Sequence, residues 1–289
     1  MVTTLFYING YTQREVADFL EVPLTTVKKR LSDSRQKLKE RMMTMVADEL
    51  KKHPLGPEFP EHIRRLIELP RPLDIEKHPV RQLWGAFRAC FADAEVVELD
   101  EVCPSSLSLL LDPAMKRFVY TIDERRMLRP ELTSQLLAHW VETGGGARTL
   151  ITCGRVFRAD HHPTETHLRV FHQCELFSAR EAPMTLTDLD ALVERAAAAL
   201  LPGHEFLPDG PCPYPPVSEG RYYGSLWQGR EHHMAGGGVF KEEWLRKGGL
   251  DPKGCGAIGF SFGLERTAQI RHDLDDVRKL WEPPYVSKE

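Results

Sequence analysis

Two stretches gather side chains able to seat a charged ligand: "GRVFRADHHPTETHLRVFHQCELF" at 154–177 and "GFSFGLER" at 259–266. Strand side chains alternate between faces, so Arg158 and Asp160 share one face of the first strand, and Phe171, Gln173 and Glu175 share one face of the second. Burying such polar groups unpaired is costly, so either a polar ligand covers this surface or Arg158 and Glu175 form a structural ion pair. In the later stretch, Gly263 sits at a strand-to-helix join, followed by Glu265 and Arg266 in the first helical turn. The join needs the glycine; it does not need the acid and the base. Histidines at 161, 162, 167 and 172 also cluster, but no Cys-x-x-Cys pair or second His-rich segment supports zinc. The six cysteines are scattered and are expected as reduced thiols.

The elements that must position these residues follow from the patterning. "VRQLWGAFRACFA" predicts a helix, "AEVVEL" and "RFVYTI" predict strands, and "LRPELTSQLLAHWVE" predicts a helix ended by Gly144 to Gly146. The strand pair follows, then "LTDLDALVERAAAALL" as an amphipathic helix. Strands and helices do not alternate regularly, which predicts an α+β fold with an antiparallel sheet flanked by helices.

Ahead of this lies a segment of different character. The chain has 289 residues and a net charge of −4, yet residues 1–52 hold more Lys and Arg than Asp and Glu. Thr12 and Glu15 form a capping box for one helix, Val22 and Pro23 break it, and Thr25 or Thr26 caps a second with Val27, Leu31 and Leu38 on its buried side. This is helix-turn-helix spacing. Lys28, Lys29 and Arg30 begin a basic run on the second helix, suited to phosphate contacts or simply to a solvated face. Prolines at 54, 57, 60, 70, 72 and 79 predict a connector, giving domains at 1–52 and 76–289 joined by 53–75. No apolar run is long enough to cross a bilayer and no signal-peptide pattern opens the chain, so a cytoplasmic location without membrane attachment is expected.

The 154–177 stretch resembles motif 2 of class II aminoacyl-tRNA synthetases, in the form found in the phenylalanyl enzyme's alpha subunit, and "GFSFGLER" resembles motif 3. "MLRPELTSQLL" and the last motif also resemble pyrrolysyl-tRNA synthetase, and residues 3–43 resemble region four of bacterial sigma factors, with Glu21 where those turns usually carry glycine. The resemblance implies a class II synthetase sheet and ATP-dependent activation of an amino acid, with Mg²⁺ accompanying ATP, a homodimeric assembly, and tRNA or DNA as partner of the helix-turn-helix. It implies Arg158 on the α-phosphate, His167 near the β- and γ-phosphates, Phe171 stacked on adenine, and Arg266 across the ring, with Asp160 and Glu265 completing the nucleotide site. Gln173 and Glu175 match the amino-acid-binding pair, and Gly236, Gly237 and Gly238 match the pocket floor; from the residues alone, those glycines could equally form a tight turn. Where the phenylalanyl family has Leu-Arg-Thr-His-Thr-Ser, this chain has "LRPELTS", leaving Ser134 or Thr133 as stand-ins for the histidine. Tyr214 stands where an aromatic wall is expected, and no metal ligand is assigned. An anticodon-binding domain, a tRNA-binding coiled coil, an editing domain and the promoter-opening sigma region have no counterpart, so neither a multidomain synthetase nor a complete sigma factor is expected.

Overall fold

A computed structural model describes residues 16, 17, 19, 20, 22–31, 58–111, 115–159, 163–212 and 217–286. The capping box at Thr12, the turn residue Glu21, the end of the basic helix, Asp160 and Tyr214 lie outside the described residues. The chain divides into two compact units, Met1–His62 and Ile63–Glu289.

In the first unit, residues 24–31 are helical, and Val16, Ala17, Val27 and Leu31 form a small core with Leu20, Val22 and Leu24 packed on it. Pro23 starts the helix without a free N–H, and its carbonyl accepts from Thr26 N and Val27 N. Thr25, Lys28, Lys29 and Arg30 are exposed, and Thr26 is half-buried.

A helix α1 (Glu58–Ile67) crosses the division between the units, and a 3-10 turn at Pro72–Asp74 follows, both inside the proline-rich segment. The second unit is built on a seven-stranded sheet. Its strands are β1 (Glu95–Val96), β4 (Arg148–Phe157), β5 (Val170–Arg180), β6 (Leu207–Cys212), β7 (Ser218–Trp227), β8 (Arg230–Phe240) and β9 (Gly256–Gly263). They run in the order β1-β4-β5-β9-β8-β7-β6, with β1 alone parallel to its neighbour. A separate pair joins β2 (Val102–Pro104) to β3 (Arg126–Leu128). "RFVYTI" is not a strand: a 3-10 turn covers Met115–Phe118, and only an isolated bridge forms at Thr121.

Two helices cover one face of the sheet. On α2 (Pro79–Cys90), Val80, Leu83 and Phe87 are buried; on α4 (Leu186–Leu200), Leu189, Val193, Ala196, Ala197 and Leu200 are. They share a core with Ile151, Leu176, Ile258, Phe260 and Phe262. Thr185 and Asp188 close a reciprocal capping box that fixes where α4 begins. At one end of the opposite face, Trp140 from α3 (Thr133–Glu142) packs on Phe177, which meets Phe240, and α5 (Glu242–Lys247) supplies Trp244 and Leu245. The rest of that face is left for the site, with α6 (Leu264–Arg271) leaving β9 directly beside it.

Gly236 to Gly238 lie inside β8, paired with β7 on one side and β9 on the other, and do not form a turn. The reason is close packing: a Cβ on Gly238 would lie 2.7 Å from Ser218 Oγ and 2.8 Å from the Glu219 carbonyl. Larger residues would hold these strands apart.

Candidate active site

A cavity of about 540 Å³ opens on this face, within the range of small-molecule sites. Its lining brings together Arg158, His167, Phe171, Gln173, Glu175, Gly236, Gly237, Gly238, Gly263 and Arg266, which the sequence singles out separately. The strand alternation explains half of this, since residues 171, 173 and 175 of β5 point the same way. The antiparallel register supplies the rest: Gln173 pairs with Gly263 and Glu175 with Ser261, so β9 delivers the start of α6 beside them.

One end of the cavity is cationic. Arg158 follows the last residue of β4, its guanidinium lies 4.9 Å from the centroid of the Phe171 ring, and its Nε donates to the Pro130 carbonyl at 3.2 Å. Arg266 donates from Nη2 to the Thr166 carbonyl at 3.1 Å and from Nη1 to the His233 carbonyl. Among the described residues its partners are carbonyl oxygens, with no carboxylate. Burial, and after it the positive charge of Arg158, brings Arg266 down to about 10. His167 sits at the rim, its Nδ1 3.0 Å from Thr166 Oγ1 and 3.1 Å from Thr164 Oγ1. A Cβ at Gly263 would come no nearer than 4.0 Å to the Phe171 ring, and φ there is −82°, so against expectation the join itself does not require glycine.

The other end is anionic. Glu175 is 2% exposed and its Oε2 has no hydrogen-bond partner; Gln173 Oε1 also has none, while Gln173 Nε2 donates to Ser261 Oγ at 3.3 Å. Burial first, then the charge of Glu131, pushes the Glu175 carboxyl well above the usual carboxylate range, against the pull of a hydrogen bond from Thr133. Of the two alternatives for this surface, the Arg158–Glu175 ion pair is not formed among the described residues. Beyond this end, Tyr222, Phe240 and Cys212 wall a trough floored by glycines.

Two expectations are corrected. Glu265 does not line the cavity: its Oε2 accepts from His172 N at 2.6 Å and its Oε1 meets His172 Nδ1 at 2.7 Å, so it faces the core. Ser134 does not line it either, because its hydroxyl and main-chain N–H are both taken by Glu131. Thr133 is the hydroxyl that faces in.

Glu131 is an acidic lining residue that the sequence does not single out. The signal is an acid in "LRPELTS" ahead of an apolar helix, which reads there only as the loss of a histidine. Arg129 places it. That guanidinium is almost wholly buried and donates to the carbonyls of Arg155 and Leu99, each at 2.7 Å, tying the loop before α3 to β4. Gly154 makes the room, since a Cβ there would lie 2.1 Å from Arg129 Nη2.

Among the described residues no three His, Cys, Asp or Glu side chains are grouped to hold a metal ion, and the acids that line the cavity are Glu131 and Glu175 alone. The described residues therefore include no set that fits a protein-held Mg²⁺.

A mixed sheet of this order, with polar groups of opposite sign at the two ends of a strand-floored cavity, is the class II synthetase core. Residues 27–287 match the family described as tRNA synthetases class II core domain (F), and the chain belongs to that family. Residues 2–38 match sigma-70, region 4. The phenylalanine–tRNA ligase alpha subunit of Nostoc punctiforme is 30% identical over 156 residues, covering 52% of this chain and 44% of that relative. The same subunit of Bifidobacterium adolescentis is 33% identical over 144 residues, covering 47% and 40%. The chain thus spans less than half the length of these relatives. The solved pyrrolysyl-tRNA synthetase of Desulfitobacterium hafniense shares the fold, with a TM-score of 0.55 at 18% identity over 79% of this chain and 80% of that one.

Proposed function

We propose that the second unit joins an amino acid to ATP, forming an aminoacyl adenylate and releasing pyrophosphate. The bipolar cavity carries this reading: at one end one carboxylate oxygen of Glu175 and the amide oxygen of Gln173, both buried and without hydrogen-bond partners among the described residues, and at the other two guanidiniums. An amino acid's ammonium meets the first set and a nucleotide's phosphates meet the second. The amino acid's own carboxylate then falls between them.

In this reading Glu175 and Gln173 take the ammonium in charge-assisted hydrogen bonds, and the glycine floor leaves the trough to an apolar side chain. A carboxylate oxygen of the amino acid attacks the α-phosphorus, the bond to the bridging oxygen breaks, and pyrophosphate departs with the electron pair. Arg158 stabilises the charge that grows on the α-phosphate. Phe171 stacks on adenine, Arg266 borders the same space and reaches the terminal phosphates, and His167 approaches them from the rim. No proton need be moved; catalysis is positioning and charge stabilisation. Mg²⁺ arrives on the phosphates and is assigned no protein ligand. Transfer of the aminoacyl group to tRNA or to another acceptor follows, within a homodimer in the cytoplasm.

The sigma-like match and the exposed Lys28, Lys29 and Arg30 favour a second role for the first unit, in binding nucleic acid. Coupled to ligand binding by the second unit, this would make the protein an amino-acid-responsive DNA-binding regulator.

Pyrophosphate exchange into ATP, run with each of the twenty L-amino acids, tests the main reading. Exchange with at least one of them, lost by a factor of about 100 or more in Arg266→Ala with the fold retained, is the expected result. No exchange with any amino acid, together with ligand-dependent DNA binding, would replace the enzyme with the regulator.

A further inference from the structure

His233 is a cavity-lining side chain that the activation step does not use, and two irregularities of the sheet put it there. Glu175, Ser261, Gly236 and Tyr222 are register partners across β5, β9, β8 and β7, and so share the cavity face. Strict alternation from Gly236 would turn His233 to the other face. Instead the β7–β8 register slips by one residue between the pairs Tyr223–Ala235 and Gly224–His233, and the imidazole enters the lining. A second slip lies on β6. Pro208 pairs with Tyr223 and Pro211 with Arg221, so Asp209 and Gly210 stand against Tyr222 alone, with Gly210 at φ 67°. The two slips meet: His233 Nδ1 lies 2.8 Å from Asp209 Oδ2, and the imidazole stands edge-on to Tyr222 at 5.3 Å between ring centroids. An acid beside Nδ1 keeps the proton there and leaves Nε2 as the acceptor. The side chain is 62% exposed, open to a molecule arriving from solvent. Its own carbonyl holds Arg266 and its ring meets Tyr222, so it stands between the cationic end and the trough. A pair that merely tied the strands together would need neither slip.

We propose that His233, oriented by Asp209, is the general base of the transfer step, taking the proton from an acceptor hydroxyl as it attacks the aminoacyl adenylate. This rests on the amino-acid-activating reading above, whose first step moves no proton. The acceptor oxygen bonds to the carbonyl carbon and its proton passes to His233 Nε2. The bond from that carbon to the phosphate oxygen breaks, and AMP leaves with the electron pair; the imidazolium then returns its proton to solvent. The hydroxyl belongs to the terminal ribose of a tRNA or to a small polyol, which present the same vicinal hydroxyls.

The test separates the two steps in the full chain. Pyrophosphate exchange with each of the twenty L-amino acids reads the first. The best amino acid is then followed in single-turnover transfer from the bound adenylate to unfractionated bacterial tRNA, to glycerol, and to hydroxylamine, which attacks without help from a base. His233→Ala should lose transfer to the hydroxyl acceptor by about tenfold or more beyond any change in exchange, and added imidazole should restore part of the loss. Trapping by hydroxylamine should follow exchange instead. Asp209→Asn keeps the shape, offers Nδ1 a donor and so moves the proton to Nε2; it should show the same split, and it decides the matter if His233→Ala fails to fold by circular dichroism. Whichever of tRNA and glycerol responds identifies the source of the hydroxyl. Equal losses of exchange and transfer would assign the imidazole to the nucleotide and overturn this inference. Transfer that merely follows exchange in both variants, or wild type that exchanges but transfers to neither hydroxyl acceptor, would overturn it too; each of these results leaves the activation reading standing. Wild type that exchanges with no amino acid overturns both.

Discussion

Replacing Glu265 by alanine strands two donors at once. Its carboxylate accepts from His172 N at 2.6 Å and meets His172 Nδ1 at 2.7 Å, and both residues are buried, with Trp281 stacked near the histidine at 5.9 Å between ring centroids. Each stranded buried donor costs about 1–3 kcal/mol, so Glu265→Ala should lose about 4 kcal/mol. Glu265→Gln keeps an acceptor oxygen for the main-chain N–H and should lose about 1–2 kcal/mol. For a unit of this size about 2–4 °C accompanies each kcal/mol, which puts the alanine variant roughly 10 °C below wild type in Tm. The functional effect is directional. Arg266 is the next residue on α6, and its guanidinium depends on the Thr166 and His233 carbonyls for position. Loosening the first turn should therefore raise KM for ATP about tenfold or more and leave KM for the amino acid, whose proposed partners lie on β5, nearly unchanged. Circular dichroism melts and pyrophosphate exchange with each substrate varied in turn make the measurement. A Glu265→Ala variant melting within about 2 °C of wild type, or one in which both KM values rise equally, would refute the view that this pair anchors the arginine.

Three further outcomes are expected. Burial raises the Glu175 carboxyl above its ordinary value of 4.5, so the folded protein holds that proton more tightly than the unfolded chain and loses stability as pH rises from about 4.5 through the folded value. Glu175→Gln should thus be more stable than wild type at pH 8 and no different near pH 4 in urea melts, while losing exchange; equal stability at pH 8 would contradict the burial argument. Gly154→Ala drives a methyl into Arg129 Nη2 and should cost about 2–4 kcal/mol through lost bonds to the Arg155 and Leu99 carbonyls, so a wild-type melt would show that the loop is not held this way. Alanine at Lys28, Lys29 and Arg30 together should flatten the dependence of log affinity on log salt by about 2–3 for DNA or tRNA, measured by fluorescence anisotropy, and an unaltered slope would mark the basic helix as plain surface.

How far the sequence reaches depends on whether a residue's direction is set locally. Alternation along one strand is local, and it puts Phe171, Gln173 and Glu175 on one face without knowledge of any partner. Arg158 is reached less well, because β4 ends at Phe157 and the arginine's direction then depends on Pro130, 28 residues away. Glu265 is misplaced for a clearer reason. Adjacent helix residues point about 100° apart, and which of Glu265 and Arg266 faces the cavity is decided by His172 on β5, 93 positions earlier in the chain. Gly236 to Gly238 can turn or extend equally well when read alone; the choice is made by β7 and β9, which flank them and leave no room for a side chain at Gly237 or Gly238. The fold class is legible because apolar periodicity and the order of elements suffice for it. The phase of each element against its neighbours is not, because it is set by contacts between distant segments.

The same dependence on distant segments explains why this site carries so much unrelieved charge. A surface site could neutralise Arg266 or Glu175 with water, at the cost of weaker attraction for a ligand. Here the β5–β9 register sets the guanidinium and the carboxylate at opposite ends of one cavity, and the carbonyls that hold Arg266 orient it without cancelling its charge. Glu131 goes further, adding a negative charge where burial already disfavours one. Such an arrangement lowers the stability of the empty fold, and substitutions that relieve it should stabilise the protein while abolishing its chemistry. Glu175→Gln is the sharpest instance, since it removes one charge, keeps the shape, and predicts opposite signs for stability and activity in a single variant.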